Sequence, residues 1–139
     1  RLSNLELAKE VGLTPSPCLR RVRSLEEKGI ISAYSALINQ NKVGLSVNVF
    51  VQVSLERQTE DHLEIFEERI KEYNEVMEAY LMTGEADYLL RIVVKDLEKY
   101  ELFLKENLTR IPGVSSIRSY FSLKQVVKKY SLPLHNPRN

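Results

Sequence analysis

From Ser46 onward the chain alternates. Val47, Val49, Val51, Val53 and Leu55 occupy every second position, with Ser46, Asn48, Phe50, Gln52 and Ser54 between them. Successive side chains of an extended strand point to opposite faces, so a period of two predicts a strand buried on one face only. Before this point the apolar residues follow a helical period instead. A chain of 139 residues is long enough for two small domains. The change of period, with polar Asn39-Gln40-Asn41-Lys42 and Gly44 ahead of it, predicts a first domain over 1–38, a linker over 39–45 and a second domain over 46–139.

Beyond the first strand the two periods take turns. Leu63, Phe66, Ile70 and Tyr73 mark an amphipathic helix from Thr59 to Tyr73. Val76–Thr83 and Tyr88–Val94 read as strands about the turn Gly84-Glu85-Ala86-Asp87. A second helix carries Tyr100, Phe103, Leu104 and Leu108; Ile111-Pro112-Gly113 stops it, and Val114–Leu123 reads as a final strand. Strand–helix–strand twice in succession is a ferredoxin-like βαββαβ arrangement, so the chain as a whole is of the α+β class. Such a sheet packs both helices on one face. The open face then calls for a partner, most simply another copy of the chain.

The first part is helical. Ser3-Asn4-Leu5-Glu6 is a capping box, in which the serine hydroxyl and the glutamate each satisfy one orphan N–H. Leu5, Ala8 and Val11 keep helical spacing, and Gly12 supplies a left-handed stop. Leu13-Thr14-Pro15 is a tight connector. Ser16-Pro17 then reads as the cap and first residue of a second helix, with Leu19, Val22 and Leu25 as its inward stripe and Gly29 as its end. Ile30–Leu37 is predicted to be extended. Two short helices joined so tightly form either a helix-turn-helix or a structural hairpin, and charge favours the first. The net charge of +1 says nothing about nucleic acid, but Thr14–Leu25 holds three arginines and no acid. At 100° per residue the outward face is Ser16, Arg20, Arg23 and Ser24, with Arg21 on the flank. With Thr14 and Pro17 at the helix entry, these residues are the candidate DNA-binding set. Arginines there can reach guanine edges or phosphates, and Ser or Thr can bond either. Glu27 shares the face near its far end.

Other chemistries find less support. Glu60, Asp61, Glu64, Glu67, Glu68 and Glu72 read as a solvated helix face, and His62 and His135 have no Cys/His cluster around them, so no metal is expected. Cys18 reads as a small core residue. No nucleophile–base set, phosphate loop or dinucleotide fingerprint is visible, so neither enzyme activity nor a cofactor is expected. No apolar run approaches the roughly 18 residues of a membrane helix, and no leader pattern is visible, which makes the cytoplasm the expected location. The Gly84-Glu85-Ala86-Asp87-Tyr88 stretch reads either as a plain hairpin turn or as a turn whose N–H groups, carboxylate and phenol bind a zwitterion.

The residues also resemble a known family. Ser3-Asn4-x-Glu6-Leu7-Ala8, Val11-Gly12-Leu13-Thr14-Pro15-Ser16-Pro17-Cys18 and Arg21-Val22-x-x-Leu25-Glu26-x-x-Gly29-Ile30-Ile31 are similar to the leucine- and asparagine-responsive (feast/famine) regulators. So are Gly84-x-x-Asp87-Tyr88-Leu89-Leu90, Ile111-Pro112-Gly113-Val114 and Leu132-Pro133-Leu134. The resemblance implies a sequence-specific DNA-binding transcription regulator, a homodimer with facing sheets, and dimers assembling into octamers. It implies an amino-acid effector near Thr83, Gly84, Asp87, Tyr88, Ser119 and Tyr120. It further implies that residues 1–29 are the second and third helices of a three-helix DNA-binding domain. The rival expectation is a ligand-sensing or assembly module without DNA binding.

Overall fold

The computed structural model describes residues 1–135, so the last four residues of the domain placed at 46–139 lie outside the described residues. The chain divides into two compact units, Arg1–Ile38 and Asn39–Asn139.

The first unit holds α1 (Asn4–Glu10) and α2 (Pro15–Glu27). The capping box at the start of α1 is present: Glu6 N–H donates to Ser3 Oγ at 3.2 Å and Ser3 N–H to Glu6 Oε2 at 2.8 Å. Gly12, at φ +71°, turns the chain after α1 in a conformation that costs a Cβ-bearing residue strain. The cap of the second helix lies two residues before the expected Ser16. Thr14 is the N-cap and Pro15 and Pro17 both lie in the first turn. A serine cap followed by proline at the first helical position pointed to Ser16. It is overridden because the first four N–H groups of a helix have no intrahelical acceptor, so two prolines there forfeit nothing.

The buried residues of this unit are Ala8 and Cys18, one from each helix. Leu19 and Leu25, expected inward, are each 38% exposed, since two helices meeting at one small contact cover only a narrow stripe of α2. Ile30–Leu37, expected to be extended, forms no strand, since the unit offers no neighbouring strand to pair with. Instead Tyr34 is held by the Arg1 guanidinium, 3.5 Å from its ring centre.

The second unit is β1 (Val47–Leu55), α3 (Glu60–Lys71), β2 (Val76–Leu81), β3 (Tyr88–Val94), α4 (Leu97–Glu106) and β4 (Val114–Phe121), with a 3-10 turn at Leu108–Arg110. The sheet is fully antiparallel in the order β2-β3-β1-β4. That is the βαββαβ arrangement that the alternating periods imply. The alternation in β1 sorts as expected, with Val49, Val51 and Val53 fully buried against Phe66, Leu90, Ile92 and Leu108. Two strands end short: β2 at Leu81 rather than Thr83, and β4 at Phe121 rather than Leu123. The register with β1 closes at Val49↔Phe121, and beyond it only Ser122 N–H reaches the Asn48 carbonyl, at 3.0 Å.

Directly opposed residues of antiparallel strands share a face. The pairs Phe50↔Arg91, Phe50↔Tyr120, Gln52↔Leu89, Gln52↔Arg118 and Tyr80↔Leu89 therefore define the face away from the core. Phe50, Tyr80 and Tyr120 stand exposed there.

Candidate nucleic-acid interface and effector site

On α2 the arginines at 20, 21 and 23 are all exposed, as are Thr14 and Ser16, while Pro17 is half-buried. No ion pair holds any of the three among the described residues. The Thr14 side chain makes no capping bond, which leaves its hydroxyl available at the helix entry. Ser24 departs from the sequence reading. It is half-buried rather than fully outward. Asn4 Nδ2 donates to the Pro15 carbonyl at 3.0 Å, tying the start of α1 to the start of the arginine-bearing helix.

The β2–β3 hairpin brings Thr83, Gly84 and Asp87 together. Met82 N–H donates to the Asp87 carbonyl (2.8 Å) and Asp87 N–H to the Val53 carbonyl (3.0 Å). Gly84 sits at φ +118°, within the range that favours glycine. The Asp87 carboxylate turns inward: Oδ2 accepts Leu55 N–H at 2.7 Å and Gln58 Nε2 at 3.4 Å. Asp87 thereby fastens the hairpin to the end of β1. The N–H groups of Gly84, Glu85 and Ala86 have no intrachain acceptor among the described residues.

The other effector candidates do not converge with these. Tyr88 is 2% exposed; its ring packs 4.5 Å from Phe66 and its phenol donates to Glu67 Oε2 at 2.9 Å. Burial first, then the neighbouring Glu67 carboxylate, pushes its phenol well above the usual tyrosine range. Ser119 lies opposite Val51 on the core face, hydrogen-bonded to the Tyr100 hydroxyl, whose pKa burial also raises. Tyr120, one residue on, projects from the opposite face beside Phe50. Within one chain the six residues occupy two faces of the sheet and are spread over the hairpin loop, β3 and β4.

Two hollows flank the hairpin, and sequence reasoning named few of their residues. On the open face a cavity of about 110 Å³ is lined by Gln52, Ser54, Glu85, Ala86, Ser116 and Arg118. On the core side a groove of about 290 Å³ runs between α3 and β2, walled by Glu67, Ile70, Val76, Leu81 and Tyr88 among others. The alternation of β1 already turned Gln52 and Ser54 outward, but pairing them with Ser116 and Arg118 needs the strand order.

Comparison with known proteins is consistent along the whole chain. Residues 1–32 match the family model for winged helix-turn-helix DNA-binding, and residues 48–132 match the model for the Lrp/AsnC ligand binding domain. The Bkd operon transcriptional regulator of Pseudomonas aeruginosa is 51% identical over 134 residues, covering 96% of this chain and 88% of that protein. The leucine-responsive regulatory protein of Escherichia coli is 43% identical over 126 residues, covering 91% and 77%. Among solved structures, the transcriptional regulator NMB0573/L-Met complex of Neisseria meningitidis superposes with a TM-score of 0.91 at 38% identity, covering 96% of this chain and 86% of that one.

Proposed function

The chain belongs to the Lrp/AsnC family of transcription regulators, with a helix-turn-helix DNA-binding part and a ligand-binding domain, and from that premise we propose how its residues divide the work. Thr14, Ser16, Pro17, Arg20, Arg21, Arg23 and the edge of Ser24 face the DNA. The carrying observation is the outer surface of α2, where three exposed arginines have no acidic partner among the described residues. Phosphates supply the missing counter-charge, and a base edge can take a bidentate guanidinium.

The effector is an amino acid held at the Thr83–Tyr88 hairpin. The unused N–H groups of Gly84, Glu85 and Ala86, with Arg118 across the small cavity, suit a carboxylate. That the related Neisseria protein was crystallised with L-methionine supports this ligand class. Asp87 and Tyr88 hold the hairpin in place rather than line its outer surface. Because Ser119 and Tyr120 lie apart from it, a single chain does not complete the site in this reading, and a neighbouring copy does. The working form is a homodimer assembling further into octamers in the cytoplasm, where ligand binding shifts assembly and assembly sets DNA occupancy through avidity. No helix among the described residues is long and apolar enough to cross a membrane.

Anisotropy of labelled promoter DNA titrated with the chain, at several salt concentrations and with each of the twenty amino acids, tests the whole reading. Affinity falls steeply with salt, and at least one amino acid changes affinity or particle mass. Salt-insensitive binding overturns the first half, and indifference to all twenty overturns the second.

A further inference from the structure

The 19 acids of the chain are unevenly placed: none falls in residues 28–55 or 107–139. The fold brings these two acid-free stretches together, because β1 pairs with β4. At the end of that pair remote from the hairpin lies a hollow of about 460 Å³, bordered by the linker at Asn39–Asn41, the start of β1 and the segment after β4. Its walls carry Lys124 and Lys128 among amides and hydroxyls, and no carboxylate. Arg91 fixes how two of those amides are turned. Its Nη2 donates to Gln40 Oε1 at 3.0 Å, and its Nε and Nη2 donate to Asn48 Oδ1 at 3.2 and 3.0 Å. Both carbonyl oxygens face the guanidinium, so both amide NH2 groups turn away from it. Gln40 Nε2 is shielded from solvent and finds no partner among the described residues, which a native fold ordinarily avoids. Arg91 has only these neutral partners. Glu78 lies opposite it across the β2–β3 pair, but no ion pair joins the two among the described residues.

We infer that this hollow is a second ligand site, for a small phosphate ester, separate from the hairpin. Size argues for a small molecule, since ligand pockets hold roughly 300–1,000 Å³ and a concave space of that order does not admit a duplex. No aromatic ring lines it, so a nucleotide base finds nothing to stack on. A planar carboxylate is best matched by a free guanidinium fork, and here the Nε–Nη2 edge of Arg91 is committed to Asn48. Two ammonium groups act instead as point charges, which suit the tetrahedral oxygens of a phosphate. The hydroxyls of Ser46 and Ser122 can bond the hydroxyls of the ester. Because the walls come from the linker, β1 and the chain beyond β4, an occupied hollow holds the linker on the sheet.

Calorimetry on the full chain, in its solution assembly and at constant ionic strength, tests the site. The probes are glycerol 3-phosphate, glucose 6-phosphate and the two unphosphorylated parents. At least one ester binds and neither parent does. Lys124→Gln with Lys128→Gln weakens the ester at least ~10-fold, since each lysine supplies a charge-assisted hydrogen bond. Lys99→Gln with Lys105→Gln, the same loss of charge on α4, leaves it unchanged. Gln40→Glu keeps an oxygen for Arg91, so the fold stands, but replaces the NH2 donor with a carboxylate oxygen and abolishes binding. If Gln40 served only to hold Arg91, binding would persist in that variant, and the site would fall. Absence of ester binding, parents that bind as tightly, or equal weakening by the α4 pair also overturns it. Should a short random duplex displace the ester, the hollow serves the DNA backbone and the small-ligand assignment is overturned.

Discussion

The Tyr88 phenol donates to Glu67 across the seam between β3 and α3, at 2.9 Å, and so links the hairpin end of the sheet to the helix layer. Tyr88 is also a core ring, packed on Phe66 and nearly without exposure. A residue in the hairpin motif thus has its polar atom committed inside the fold.

That commitment gives an alkaline prediction. Burial and Glu67 raise the Tyr88 pKa, and burial raises that of Tyr100. A tyrosine raised above its unfolded value near 10 contributes stability that is fully present below pH 10 and is lost as pH climbs toward the folded value. The wild-type melting temperature therefore falls between pH 9 and 11. Tyr88→Phe removes most of this slope and costs about 1 kcal/mol at pH 7 through the lost hydrogen bond. Thermal melts across that range check it; an unchanged slope in Tyr88→Phe refutes it.

Asp87 separates holding from sensing. Asp87→Ala leaves the Leu55 N–H without its acceptor, which costs about 1–3 kcal/mol and lowers the melting temperature by several degrees. Asp87→Asn keeps an oxygen there and recovers most of that loss. Calorimetry with the effector found by the amino-acid screen then shows Asp87→Asn binding within about threefold of wild type. A loss of ligand binding at normal stability would instead place the charge of Asp87 in the site.

The capping box predicts an acid-side effect on the first unit. The Ser3 backbone N–H, then its hydroxyl, holds the Glu6 carboxyl below its ordinary value. A depressed carboxylate contributes stability above its unfolded pKa and loses it as pH falls through the folded one. Ser3→Ala costs about 1 kcal/mol. The advantage of wild type over Glu6→Gln, read by α1 helicity or amide exchange, therefore narrows as pH falls from 5 to 3.

What could be read in advance follows from where each signal lives. The alternation of Val47–Leu55 and the helical stripe of Phe66 and Ile70 are local, and the structure buries those residues together. Caps depend on competing local rules, so Thr14 displaced Ser16 once two prolines could share the first turn. The site is non-local. Ser119 and Tyr120 are neighbours in sequence yet stand on opposite faces, and Arg118 reaches the hairpin only because β4 lies beside β1. Residue type and spacing do not carry that strand order.

The arginines of α2 yield a prediction separable by salt. Each side chain neutralising one phosphate releases condensed counterions, so the slope of log K against log salt shrinks by about 1 when it is removed. Arg20→Ala and Arg23→Ala each weaken promoter binding, because both are exposed on the outer face and unpaired among the described residues. Removing an arginine that binds phosphate lowers affinity alike for promoter and random DNA. Removing one that reads a base instead costs about 1–3 kcal/mol on the promoter alone and relaxes preference at one position. Arg21 lies nearer the buried stripe, so Arg21→Ala has the smallest effect of the three. Titrations of each variant on promoter and scrambled duplexes at four salt concentrations assign every arginine to one class. Binding unchanged in both Arg20→Ala and Arg23→Ala would move the DNA surface off this helix face.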